Sequence, residues 1–413
     1  MKSFASPSRL AVVLVLSLGA LTLAHAQTYT VLYSFPSKST DGIFPWAPLT
    51  LDAEGNLYGT TRWSLDGGGI IFEIDSSAGE HTLHDFTAQD TQLFGPLVRV
   101  GGTLYGTTYG GQVKTCTTHG GCGAIYSLAR GQLTVLHDFT ALEAHRPQGL
   151  TRDSLGNLYG ATTYSGSFSS FACDGLQGCG SIFEYSQGQE SLVYNFVGQP
   201  DGQLPNGELL VDRDGNIYGT TQRGGAHNHG MVFELSPNGD GSWTEAILYS
   251  FRAAGDGAQP SSGVVMDAKG NLYGVTTNGG LPIKCPYDPK LGCGVVYKLA
   301  RNTDGSWTER TLHGFGGTST DGFFPVGNLV HDKQGNLYGV TKSGGEGGAG
   351  TVFKLQPDGT ETILKAFSST NADGAGPEAG IIMDALGNLY GTTPYVRTET
   401  GQDGYGTVFK ITP

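Results

Sequence analysis

Charge is scarce in this 413-residue chain, and positive charge is the scarcer half. Lys and Arg number 24 against 37 Asp and Glu, and charged residues make up 15% of the whole, where about 25% is ordinary. The formal charge of −13 repels phosphate backbones and anionic lipid surfaces, which disfavours nucleic acid and membrane surfaces as partners. Long apolar runs are equally rare. Leu10–Leu23 is the one example, and it is too short to span a bilayer. With Lys2 and Arg9 ahead of it and Ala24 and Ala26 behind, residues 1–26 read as a secretory signal peptide cleaved near Ala26. Its loss removes two cations and leaves 22 against 37 acids, a formal charge of −15. The expected product is a secreted, periplasmic or cell-surface chain in which residues 27–413 form one domain.

Catalytic and metal motifs are also missing. There is no G-x-S-x-G, no H-E-x-x-H and no Cys-x-x-Cys. "GEGGAG" at Gly345–Gly350 fits G-x-G-x-x-G but precedes a strand rather than a helix, so it is no dinucleotide loop. Neither a catalytic residue nor a cofactor is expected from motif alone. The six cysteines fall in three local pairs, Cys116/Cys122, Cys173/Cys179 and Cys285/Cys293, each directly before a Gly-x-[VI]-[FY] strand. Six cysteines allow 15 connectivities; near-neighbour pairing is the simplest, and an exported chain keeps such bonds.

What the chain has in abundance is glycine, 67 residues, and repetition. A four-part unit recurs. Its first part is a turn ending in proline, as in "DGIFP" at Asp41–Pro45 and "DGFFP" at Asp321–Pro325. A short apolar strand follows, closing in six of the units in Asp-x-x-Gly-Asn, with a tyrosine two residues beyond: Tyr58, Tyr105, Tyr159, Tyr218, Tyr273, Tyr338 and Tyr390, on average about 55 residues apart. A glycine follows every one of these tyrosines. The third part is Gly-x-[VI]-[FY], opening at Gly69, Gly123, Gly180, Gly230, Gly294, Gly350 and Gly406. The fourth is a β-rich run ending in Phe35, Phe86, Phe139, Phe196, Phe251, Phe315 or Phe367.

Four strands per unit and seven units predict an all-β, seven-bladed β-propeller with four-stranded blades. The chain opens on an orphan fourth-type strand ending at Phe35 and stops at "GTVFKITP". The N-terminal strand is therefore expected to join the C-terminal blade and close the ring, leaving no free edge. The glycine after each tyrosine is expected to lie where neighbouring blades meet, a Cβ there holding the sheets apart. The aspartate of Asp-x-x-Gly-Asn suits the capping of its own hairpin, and its recurrence argues for a fold device rather than a catalyst.

The phrase "DxxGNLYGTT … GGxxGxGTVFKL" resembles the Gloeo-Verruco, or GloVer, tandem repeat of exported bacterial proteins. The likeness covers residues 28–413 and is strongest at Gly335–Thr341 with Gly350–Leu355 and at Gly387–Thr393 with Gly406–Ile411. That resemblance implies an exported propeller with no agreed activity and transfers no catalytic residue. More distantly the blade phrase is similar to those of NHL-type propellers and streptogramin lyase, a fold that hosts binders and enzymes alike. The sequence reaches Pro413 without a sorting signal or hydrophobic tail, a departure from the family's pattern that leaves surface attachment open.

Propeller geometry narrows the search for a site. The Asp-Gly-x-x-Pro turns and the second-to-third loops share one face, and those loops vary most in length, from "KSGGEGGAG" to "NGGLPIKCPYDPKLGCG". Variable loops on a rigid scaffold carry binding. Trp63, Tyr109, Tyr164 and Tyr395 stand near their starts and Tyr287 further along; they suit stacking on sugars or peptides, or packing of the loops on neighbouring blades. Asp41, Asp201, Asp256, Asp321 and Asp373 would form a broken ring on that face, suited to a calcium ion or cationic ligand, or to capping their own turns. His227 and His229 in "GGAHNHG" are the candidates for a shared metal or an acid–base pair, though the sequence places no third ligand. His84, His137 and His313 stand where other units have tyrosine or lysine and read as structural variation. The expected function is a monomeric, non-catalytic binding or scaffold propeller that recognises an extracellular glycan, peptide or protein. The alternative is a secreted polysaccharide lyase or glycosidase with its site at the channel mouth.

Overall fold

The computed structural model describes residues 27–35, 42–64, 67–86, 92–93, 95–110, 122–140, 145–164, 173, 178–253, 255–280, 285, 292–318, 320–370, 372–397 and 403–412. The leader 1–26 lies outside the described residues, as do Asp41, Cys116 and Tyr287.

Short β-branched and aromatic runs between Gly, Asn and Asp turns fold as antiparallel strands, and these gather into seven blades. Blade 4 gives the plan: first strand Gly202–Val211, second Ile217–Gly224, third Met231–Pro237 and fourth Trp243–Ser250. First strands open at Thr50, Val98, His145, Ala258, Gly322 and Ile382 in the other six. In blade 5 that strand is split into Ala258–Pro260 and Val265–Met266, both paired with the second strand. Blade 7 closes the circle. Its fourth strand is Thr28–Ser34, antiparallel to Thr407–Thr412 with Thr28 opposite Thr412 and Ser34 opposite Thr407. The expected seven-bladed ring, latched by the N-terminal strand, is the fold.

The glycine after each tyrosine has a different task from the expected one. Its nearest atoms belong to its own blade, not to the next. A Cβ on Gly219 would lie 2.5 Å from Cζ of Phe233, its cross-strand partner, and 2.9 Å from Cδ2 of Leu209. The same close approach joins Gly59 to Phe72, Gly106 to Tyr126, Gly160 to Phe183, Gly274 to Tyr297, Gly339 to Phe353 and Gly391 to Phe409. Contact between blades comes one layer further out. Each of these rings is met by the phenylalanine that ends the fourth strand of the preceding blade, as Phe196 meets Phe233 and Phe35 meets Phe72, both at 5.2 Å between centroids. Edge-to-face pairs of this kind contribute about 0.5–1.5 kcal/mol each beyond their burial. The absent side chain lets a ring lie on the sheet, and the ring presents its face to the neighbouring blade.

A second joint is built on proline. In six turns the residue before it has φ between 54° and 62°: Phe44, Arg146, Leu204, Gln259, Phe324 and Gly376. Its N–H donates to the carbonyl just ahead of the preceding blade's third-strand glycine, as from Leu204 to Cys179 at 2.8 Å and from Phe324 to Cys293 at 2.9 Å. The proline then sits on that glycine; Cδ of Pro205 is 2.3 Å from where a Cβ of Gly180 would stand.

At the opposite face, each Asp-x-x-Gly-Asn aspartate caps its hairpin. Oδ1 of Asp212 accepts from the N–H groups of Asp214 and Asn216, while Oδ2 accepts from the Asn216 amide and the Tyr218 hydroxyl. The tyrosine bond recurs at Asp52, Asp153, Asp267, Asp332 and Asp384. These carboxylates are occupied by the fold.

Candidate functional site

Seven first strands approach the ring axis closely, with Gly149, Gly207, Gly327 and Gly380 among the residues where they meet. What stays open is a cavity of about 150 Å³, to which each blade contributes: Trp46, Pro96, Gln148, Glu208, Ser262, Asn328 and Glu378. Glu208 is enclosed by protein although part of its surface opens to the cavity. Burial pushes its carboxyl from 4.5 up to about 7, opposed by a hydrogen bond from Asn328. A carboxyl raised in the fold contributes stability that is complete below its unfolded value of 4.5 and is lost as the pH rises through about 7. Glu208→Gln is therefore expected to flatten the fall in stability between pH 4.5 and 8, measured by urea denaturation; an unchanged slope would mean that Glu208 does not titrate in this way.

Above the cavity, the loop-rich face carries an arc of rings and cations. Arg62 stacks on Trp46 at 4.4 Å and faces Trp63 at 5.5 Å, and its Nε donates to Gln92 at 3.3 Å. Arg146, held in the left-handed turn before Pro147, lies between Tyr109 at 4.6 Å and Tyr164 at 5.1 Å. Burial lowers the pKa of Arg62, while Tyr109, Tyr395 and Glu378 act against that shift. Tyr109 is raised by burial, with Arg146 and Arg62 pulling it down. Four aromatics expected on this face, Trp63, Tyr109, Tyr164 and Tyr395, thus belong to one electrostatically coupled arc. Beyond it lies a recess of about 560 Å³ walled by Phe44, Val396, Tyr405 and the 43%-exposed Tyr395. Lys342 and Glu378 pair at 2.9 Å on its edge, and Glu378 also lines the axial cavity.

The other expected residues lie elsewhere. Asp201, Asp256 and Asp321 are buried, and none of them lines the cavity or the recess. Asp201 accepts from the Val197 N–H at 2.9 Å and the Tyr194 hydroxyl at 3.3 Å, and Asp256 accepts from the Tyr249 hydroxyl at 2.7 Å. Asp373 pairs with Lys365 at 2.5 Å. His227 is exposed and His229 half-buried in the blade 4 loop, and neither lines the cavity or the recess. Among the described residues the one group of metal-competent side chains that converges is His313, Asp321 and Glu361. Disulfides Cys173–Cys179 and Cys285–Cys293 are local, as expected, and Cys122 is disulfide-bonded as well.

Sequence reading passed over Trp46, Arg62, Arg146, Glu208 and Asn328. A signal for the last two does exist. At the first-strand position where blades 5 and 7 carry Gly263 and Gly380, blades 4 and 6 carry Glu208 and Asn328.

Fold and mouth together define a closed β-propeller of near-equivalent blades with a polar axial cavity and an aromatic, arginine-bearing rim. The chain belongs to the Gloeobacter/Verrucomicrobia repeat family, whose model matches residues 19–172, 117–284 and 287–413. No curated protein matches it in sequence. Among solved structures it is similar to a luciferin-regenerating enzyme, at 12% identity over 94% of this chain and 95% of that one, with a TM-score of 0.45. It is also similar to a gluconolactonase from Xanthomonas campestris, at 15% identity over 93% and 88%, with a TM-score of 0.44. A third is a putative oxidoreductase (glucose dehydrogenase) from Thermus thermophilus, at 16% identity over 94% and 100%, with a TM-score of 0.44.

Proposed function

We propose that this protein is an exported binding propeller whose loop-rich face recognises an extracellular glycan bearing carboxylate groups. The observation that carries the reading is the pair of guanidinium groups at the mouth, each in contact with two aromatic rings. Stacking fixes the plane of each guanidinium, which suits fork-like pairing with a planar carboxylate, and the adjoining rings suit the apolar faces of sugars. A formal charge of −15 after loss of residues 1–26 works against dense polyanions, so recognition is short-range and favours isolated carboxylates such as those of uronic acids. Residues 1–26 direct export in this reading, and residues 27–413 act as one domain. The disulfides fit an oxidising compartment, and among the described residues no helix is long and apolar enough to cross a membrane.

Titration calorimetry with oligouronides and their carboxyl-reduced counterparts tests it. Arg62→Ala and Arg146→Ala are each expected to weaken oligouronide binding by about 10–100-fold, the loss of a charge-assisted hydrogen bond. Reduced sugars should bind the parent protein no better than oligouronides bind the variants. Equal affinity for both sugars would end this proposal.

Glu208 favours a second reading, a secreted polysaccharide lyase or hydrolase. A carboxyl with a pKa near 7 in a partly enclosed cavity suits proton transfer. Turnover abolished in Glu208→Gln but kept in His227→Ala/His229→Ala would establish it over the binding reading.

A further inference from the structure

Each described joint between consecutive outer strands from blade 3 to blade 7 holds a polar group from the fourth strand facing the aspartate of the next turn. At three of them a hydrogen bond or ion pair closes the gap: Tyr194 to Asp201 at 3.3 Å, Tyr249 to Asp256 at 2.7 Å and Lys365 to Asp373 at 2.5 Å. The joint between blades 5 and 6 is different. Here the donor is replaced by an imidazole, and Nε2 of His313 stands 3.6 Å from Oδ1 of Asp321 and 3.8 Å from Oε2 of Glu361. Asp321 is 4% exposed. Its Oδ2 accepts from the Gly317 N–H at 3.0 Å, but its Oδ1, like Nε2 of His313 and Oε1 of Glu361, is buried without a hydrogen-bond partner. Nε2 of His313 and Oδ1 of Asp321, 3.6 Å apart and without a hydrogen-bond partner, are costly in a buried joint unless a proton or an ion is shared between them.

We propose that His313, Asp321 and Glu361 form a structural site for a divalent transition-metal ion, zinc by preference, tying blade 5 to blade 6. One ligand atom from each lies within 4.8 Å of the others. Zinc bound at about 2.0–2.2 Å sets tetrahedral ligands about 3.3–3.6 Å apart, so the His313–Asp321 and His313–Glu361 pairs need to move only a few tenths of an ångström, and the remaining pair closes from within 4.8 Å. A dication between two carboxylates and a neutral imidazole is charge-balanced, which suits burial. One nitrogen and a few carboxylate oxygens favour zinc over calcium, which takes six to eight oxygens. The ligands come from the blade 5 fourth strand (Trp307–Gly314), the connecting turn and the blade 6 fourth strand (Glu361–Ser368), so the ion crosses the joint. The site is independent of the rim and of the glycan reading.

The whole protein, dialysed against chelator and then titrated with zinc chloride, is expected to bind one equivalent and to melt at a higher temperature once loaded. His313→Tyr restores the tyrosine–aspartate bond of the neighbouring joints and should fold, yet bind zinc at least tenfold more weakly. Glu361→Gln should lose affinity likewise. The His227→Ala/His229→Ala protein should keep the site, because those imidazoles lie in another loop. Zinc binding that survives both His313→Tyr and Glu361→Gln, that disappears only with His227 and His229, or that is absent from the parent protein would overturn the assignment.

Discussion

Replacing Gly219 by valine is expected to cost this protein more than about 4 kcal/mol, enough to leave much of the chain unfolded at ordinary temperatures. The position is in a strand, not a turn, so the cost is spatial. Even the Cβ of alanine would stand 2.5 Å from Phe233 and 2.9 Å from Leu209. Phe233 is fully buried and held from outside by Phe196 at 5.2 Å, so its ring has nowhere to move. Overpacking by one methyl group costs about 1–3 kcal/mol; valine adds two more carbons in the same place. Gly219→Ala/Phe233→Leu should recover part of the loss, giving a favourable coupling in a double-mutant cycle. Gly239 supplies the control, since a Cβ there meets nothing within 4 Å. Urea denaturation of the set decides the matter, and comparable destabilisation by Gly239→Ala and Gly219→Ala would refute the packing explanation.

A chain starting at Gly42, without the strand Thr28–Ser34 and Phe35, is expected to lose cooperative folding altogether. That strand supplies the outer edge of blade 7 through six registered pairs. It also supplies Tyr29, which packs on Phe409 at 5.7 Å, and Phe35, which packs on Phe72 at 5.2 Å. Without it Phe72 loses its outer partner, Phe409 keeps Phe367 but loses Tyr29, and a sheet edge is left bare. Burial of each such ring contributes about 1.5–3 kcal/mol, so the sum approaches a domain's net stability of about 5–15 kcal/mol. Adding a peptide of residues 27–35 in trans should restore a sharp thermal transition. If the shortened chain melts as the full one does, the ring is not closed by this strand.

Periodic features were legible because seven copies of one solution reveal each other. Blade number, the closing strand, the capping aspartates and the local cysteine pairing all follow from what recurs. The purpose of the second-strand glycine was not legible, because an empty position has the same letter whether a neighbouring sheet or a ring from its own sheet fills the space. Only the placement of Phe233 and its six counterparts separates the two. The rim was half legible. Trp63, Tyr109, Tyr164 and Tyr395 stood out as aromatics in variable loops, but Arg62 and Arg146 join them from different blades and no linear spacing records that meeting. His313 reads in sequence as a neutral variant of tyrosine; Asp321 and Glu361 give it meaning, and they reach it only across a joint.

The proline–glycine joints have a further consequence for how such a chain diversifies. One set of bonds between consecutive blades is anchored at the root of a loop: the Leu204 N–H bonds to Cys179, the Gln259 N–H to His229 and the Phe324 N–H to Cys293. These joints hold at the loop root whatever the length of the loop beyond it. A segment between second and third strands is therefore exchangeable for one of another length at little cost to its neighbours. Descendants of one gene are free to trade specificities blade by blade while inheriting the same wheel.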